Sequence, residues 1–223
     1  MKNLLAILLL TILSGCSFES GDGAEPTKIE VVGDTLFFEG GLNDETITQA
    51  MSQVQNRSIK RLNLRSFGGD IIPSIKFARW IRDNKIDVEI NEICFSSCAN
   101  YLFPAGINKY ISEKDLIGWH GGAYQVTFDT MQFDDPEAKK ALELYMTESR
   151  KMETELYQYL GVSPKLPTMG QEDAYRCQKN GEQGWYYSAA DLKKLGVDNI
   201  VLTDGQWNPG LYHKNLCQVI LPM

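Results

Sequence analysis

The apolar positions of this 223-residue chain change period several times, and each change marks an element. Two short apolar runs, Ile29–Val32 and Thr35–Glu39, flank Gly33-Asp34 in the pattern of a β-hairpin. Asn43 or Asp44 can cap a helix that runs to about Gln55. Ile59–Leu64 alternates apolar and basic residues and passes through Arg65-Ser66-Phe67, so a strand ends at Gly68-Gly69. From Ile71 to Asn84 the spacing turns helical, with Ile72, Ile75, Ala78 and Ile81 on one face. Ile86–Ile93 returns to period two, Ser97–Phe103 reads as a short helix, and Tyr110 and Ile117–Trp119 belong to further strands ending at His120. Such alternation of strand and helix predicts an α/β layered domain with largely parallel strands.

The longest predicted helix opens at Asp135-Pro136, an aspartate cap with proline in the first turn. Ala138, Ala141, Leu142, Tyr145, Met152, Leu156 and Leu160 keep one face apolar, and Gly161 ends it. Roughly 24 residues at about 1.5 Å each make a rod of about 36 Å. A rod that long projects, packs on a partner, or lies on the domain's own core. Beyond it, Trp185-Tyr186-Tyr187 reads as a short strand, Ser188 caps a helix, and Val197–Leu202 is the last predicted strand. The tail from Gly205 reads as a covering segment held by a disulfide.

Composition narrows the function classes. A 43% hydrophobic chain of this length predicts one sizeable domain, and no internal repeat is visible. A formal charge of -7 argues against a nucleic-acid partner, which needs a basic face. At the N-terminus, Lys2 precedes an apolar run from Leu4 to Leu13 and then Ser14-Gly15-Cys16, the layout of a secretory signal. The run is too short to span a membrane, which takes about 20 apolar residues. Leu13-Ser14-Gly15-Cys16 resembles the lipobox of bacterial lipoproteins, which implies lipidation at Cys16 and anchoring of the chain in the cell envelope. Serine after that cysteine resembles the signal for the outer membrane, facing the periplasm. The expected organisation is a signal peptide over 1–15, a flexible tether over 16–28 and a single domain over 29–223.

Export leaves Cys94, Cys98, Cys177 and Cys217, an even number in an oxidising compartment, so two disulfides are expected. Four cysteines allow three pairings, and the sequence does not choose among them. No histidine sits at ligand spacing to these cysteines, so no metal site is expected.

The candidate chemistry lies in three stretches: Ser66-Phe67-Gly68-Gly69, Cys94-Phe95-Ser96-Ser97-Cys98, and Trp119-His120-Gly121-Gly122. They offer a glycine pair, a serine at a strand-to-helix junction and a histidine at a strand end, the parts of an acyl-transfer site. In this order they resemble the superfamily of Clp-type serine peptidases and crotonases, especially its small exported members. Ser66-Phe67-Gly68-Gly69 is similar to that family's Ser-Pro-Gly-Gly turn, with phenylalanine for proline. The stretch from Cys94 to Ala99, continuing to Pro104-Ala105-Gly106, is similar to its nucleophile helix, and Ile117-Gly118-Trp119-His120 to the strand that delivers its histidine. Trp185–Asp191, leading to Leu195-Gly196-Val197-Asp198, resembles its closing helix and strand.

That resemblance implies a Clp/crotonase-like layered fold of repeated strand-helix units with a long helical extension, and, because members of the family assemble through such extensions, a homo-oligomer formed through the 135–160 helix. It makes Ser97 the nucleophile, with Ser96 the competing choice. Cys98 N–H and an N–H of Gly68 or Gly69 would form the oxyanion pocket. His120 suits the general base because imidazole titrates near neutrality, whereas His213 reads as structural. Asp173 is the expected third member, with Glu172 second. The implied activity is that of an exported serine hydrolase acting on a peptide or protein, without a cofactor. A crotonase-type acyl-CoA enzyme is a poorer fit to an exported chain. A non-catalytic binding or scaffold lipoprotein is the other reading.

Overall fold

A computed structural model describes residues 27–179 and 181–222. The signal and lipidation assignments, Cys16 included, lie outside the described residues.

The hairpin forms where the pattern places it: β1 (Lys28–Val32) pairs antiparallel with β2 (Thr35–Glu39). β1 thus takes in Lys28, the last residue of the segment expected to be a tether. Asn43 closes a capping box on α1 (Asp44–Val54), accepting from Thr46 N–H while the Thr46 hydroxyl accepts from Asn43 N–H. β3 (Arg61–Ser66) leads into α2 (Ile71–Asp83), and β4 (Asp87–Phe95) follows. The short helix after β4 begins as a π-helical turn, Cys98–Leu102, and runs on as α3 (Phe103–Ala105). β5 (Lys109–Ile111) and β6 (Leu116–Gly118) come next.

Strands β2, β3 and β4 are parallel neighbours. Nine-residue β4 is long enough to serve two partners: its start pairs with β5 and its end with β6, both parallel. A further strand, β8 (Ile200–Leu202), extends the sheet beyond β5. The fold is thus α/β with a mostly parallel seven-stranded sheet. Alternation along β3 and β4 puts Leu62, Leu64, Val88, Ile90 and Cys94 into the core, where burying a large aliphatic side chain contributes roughly 1.5–3 kcal/mol.

Several short elements escaped the sequence pattern. A short helix, α4 (Val126–Thr130), has no buried residue and so no apolar period to read. The tail is not only a cover: β9 (Leu216–Val219) pairs in parallel with β7 (Gly184–Tyr187) as a second, two-stranded sheet. The cysteines pair as Cys94–Cys98 and Cys177–Cys217, and the second bond pins β9 to the loop before β7.

The long helix, α5 (Pro136–Leu160), packs on the domain's own core. Its C-terminal half packs inward through Met146, Ser149, Glu153, Leu156 and Tyr157, while Leu144 near its middle is 64% exposed. Gly161 ends it in the left-handed conformation, φ 71°. α6 (Ala189–Lys194) is capped by Ser188 as expected. Among the described residues no helix is long and apolar enough to cross a membrane.

Candidate active site

Three neighbouring parallel strands, β3, β4 and β6, end on the same edge of the sheet. The residues that follow them are Gly68-Gly69, Ser96 and His120. Carboxyl ends of parallel strands are where α/β sheets bind ligands, because the loops there converge without a side chain from the sheet in the way.

Ser96 makes the turn from β4 into the following helix in a single residue, and it does so at φ 56°. For an L residue other than glycine this left-handed conformation is unfavourable and persists only when the surroundings enforce it. They do here. Ser96 N–H donates to Gly118 O at 3.0 Å, Ser96 O accepts from Asn100 N–H at 2.8 Å, and Gly68 leaves the space that the serine fills. Ser96 Oγ lies 2.7 Å from His120 Nε2. With the imidazole proton on Nδ1, the serine hydroxyl donates to Nε2, the arrangement of a nucleophile and its base.

Ser97, the serine that the resemblance favours, has a different place. It is buried, and its Oγ donates to Gly69 O at 2.6 Å. It ties the helix to the glycine turn rather than meeting His120. The shift by one residue follows from the turn itself: Ser96 alone occupies the left-handed elbow that aims a side chain out of the sheet edge.

The oxyanion donors shift with it. If Ser96 attacks, the next main-chain N–H is that of Ser97, not Cys98, whose sulfur is in the Cys94 disulfide. Gly68 N–H donates to Ser66 Oγ at 3.0 Å, so of the expected glycine donors that of Gly69 is the one without an acceptor among the described residues.

His120 is half-buried, with its ring stacked on Phe95 at 5.3 Å and 5° between planes. Burial pushes its pKa below the usual 6.5, because the low-dielectric surroundings disfavour the imidazolium. The ring is therefore neutral and able to accept a proton at pH 7. In the folded protein it binds fewer protons than in the unfolded chain between the two pKa values, so lowering the pH through that window reduces stability. If His120 activates Ser96, covalent labelling of Ser96 should accordingly fall on the acid side with a midpoint below 6.5. A pH series of covalent labelling checks this, and a midpoint well above 6.5 would contradict the assignment.

Asp173 does not supply the third member. Its side chain is 91% exposed and lies 3.6 Å from Lys179. Glu172, the second choice, pairs with Lys165 at 2.9 Å. What reaches His120 from this loop is neutral: the Gln171 amide donates to His120 O at 3.2 Å. Among the described residues no carboxylate hydrogen-bonds to the imidazole, so the pair is a dyad.

The loop after His120 is fixed from behind by a buried polar cluster that the sequence did not reveal. Asn100 Nδ2 donates to Gly121 O at 2.8 Å, and Glu153 Oε2 accepts from both Ala123 N–H at 2.9 Å and Tyr101 O–H at 2.5 Å. Burial raises the pKa of Glu153, opposed by these hydrogen bonds. Glu153→Ala would leave a buried phenol and amide unpaired and should lower stability by about 3 kcal/mol, read in a denaturant melt. No sequence signal marks it, because Glu153 shares the inner face of α5 with Ser149 as well as with apolar residues.

A cleft of about 880 Å³ opens beside the dyad. Phe67, Ile93, Phe95 and Leu116 give it apolar lining, and the tail contributes Tyr212 to Leu216. His213 also lines the cleft, with its Nε2 3.5 Å from Lys114 O. Phe67, the residue that stands where the resembled motif has proline, is 65% exposed at the rim.

No family model matches the chain, and no curated protein matches it either.

Proposed function

We propose that the chain is an exported serine hydrolase of Clp-like fold that cleaves peptide or protein substrates by way of an acyl-enzyme, anchored to the outer membrane by a lipid on Cys16. The observation that carries the reading is the 2.7 Å contact between Ser96 Oγ and His120 Nε2, with Ser96 at a positive φ beside Gly68. His120 takes the Ser96 proton as the oxygen attacks the acyl carbon. The N–H groups of Ser97 and Gly69 stabilise the tetrahedral oxyanion, where each donor in comparable sites contributes about 3–4 kcal/mol. His120 then returns the proton to the leaving group, and water discharges the acyl-serine by the same steps in reverse.

An activated acyl ester tests this. A burst of about one equivalent of leaving group per chain, absent in Ser96→Ala, is the expected result, since accumulation of acyl-enzyme is the signature of such a nucleophile. No burst and no turnover would favour a non-catalytic envelope lipoprotein. The specific observation on that side is the imidazole without a carboxylate partner among the described residues.

A further inference from the structure

The Cys94–Cys98 disulfide closes a loop that holds only Phe95, Ser96 and Ser97. Each of the three meets another part of the site. Phe95 stacks on the His120 ring, Ser96 Oγ meets His120 Nε2, and Ser97 Oγ donates to Gly69 O. At one end, Cys94 is paired in the sheet with Ser66 of β3 and Ile117 of β6. At the other, Cys98 opens the π-helical turn. Both cysteines are fully buried.

We propose that this disulfide is the positioning device of the candidate nucleophile: oxidised, it holds Ser96 in the left-handed elbow against His120, and reduced, it releases the elbow and silences the serine. The inference rests on the reading of Ser96 and His120 as nucleophile and base. An unfavourable φ at a strand-to-helix turn can relax in two ways, by fraying the end of the strand or by unwinding the first turn of the helix. The S–S bond opposes both, because it fastens a residue locked in the sheet to the first residue of the helical turn. Its sequence separation is 4, against 40 for Cys177–Cys217. Closing so short a loop restricts the unfolded chain far less than closing the long one. The short bond therefore acts chiefly on local geometry.

In the redox step a dithiol is the reductant and the Cys94–Cys98 bond is the oxidant. One thiolate of a dithiol reductant attacks a sulfur of the Cys94–Cys98 bond and forms a mixed disulfide. Its second thiol then displaces that cysteine. Two electrons pass to the cysteine pair, which becomes two thiols, and the reductant becomes a cyclic disulfide. Burial of both cysteines means the attack waits on local opening, so the loss of reactivity should be gradual and should follow the appearance of these two thiols.

The test uses the full chain, oxidised and then treated with dithiothreitol in native buffer. Parallel aliquots are denatured, alkylated and mapped to count thiols at Cys94 and Cys98. The rate of fluorophosphonate modification at Ser96 and the far-UV circular dichroism are followed together. The expected result is a fall of about a hundredfold in rate, the scale of a misplacement near 1 Å, with the dichroism retained and the rate restored on reoxidation. The Cys177→Ala/Cys217→Ala variant should show the same response, and Cys94→Ala/Cys98→Ala should behave as the reduced protein. An unchanged rate with Cys94 and Cys98 reduced would overturn the proposal, as would a loss of rate only in step with the dichroism. If the Cys94→Ala/Cys98→Ala chain fails to fold, the reduction series on the native chain decides. An oxidised native chain that is not modified at Ser96 at all would instead sink the hydrolase reading itself.

Discussion

Replacing His120 with alanine is expected to slow covalent modification of Ser96 by about 10²- to 10⁴-fold, the usual contribution of a positioned general base. The contact is short, 2.7 Å, and the ring is held in plane by Phe95, so little reorganisation separates the resting pair from proton transfer. Gly118 explains why that plane is available. A Cβ at Gly118 would fall 2.6 Å from two carbons of the Phe95 ring, so only glycine lets the aromatic lie beside the histidine. The fold should survive His120→Ala, with a loss of about 1 kcal/mol for the stacked pair. Second-order labelling rates measured alongside a thermal melt separate the two effects. A rate within threefold of the native protein would mean that another group, or none, activates the serine.

Gly68→Ala should damage both chemistry and stability. A Cβ there would lie 2.7 Å from Ser96 Cβ and 2.8 Å from both Phe95 O and Ser97 N. All of these are backbone atoms or attached directly to backbone, and none can rotate away. The φ of +98° adds a conformational penalty for any L side chain. The elbow must move, so labelling should fall by about a hundredfold and stability by roughly 3 kcal/mol. The contrast is Gly33→Ala in the β1–β2 turn, where a Cβ meets nothing within 4 Å. That variant carries only the φ penalty at +63° and should label at the native rate. Chemical denaturation with labelling of each folded variant measures both quantities. Native reactivity in Gly68→Ala would show that the glycine turn does not define the site.

Much of the fold was legible because its strands and helices sit in a regular layered core, where burial imposes a period. β3 alternates strictly, and α2 repeats its apolar face, so both could be read to within a residue or two. The elements that escaped lack such a period. α4 has no buried residue, and β9 pairs with β7 across a large gap in sequence that no local pattern records. The site was legible as a set of three loops but not atom by atom. Whether Ser96 or Ser97 meets the histidine depends on which residue takes the left-handed turn, and two adjacent serines give no sign of that. The acid was misread for a related reason. Asp173 sits in a loop whose path is set by the Cys177–Cys217 bond and by glutamine contacts to His120 O, and both depend on tertiary structure. Glu153 was invisible because a single glutamate on a helix reads as a solvated residue until burial is known.

The central claim is that Ser96, activated by His120, is the nucleophile. The most direct measurement treats the oxidised full chain with a fluorophosphonate and maps the adduct by tandem mass spectrometry at single-residue resolution. The account predicts one adduct per chain, on Ser96, lost in Ser96→Ala and retained in Ser97→Ala. An adduct on Ser97 that persists in Ser96→Ala, or a folded, oxidised chain that takes up no probe, would contradict it.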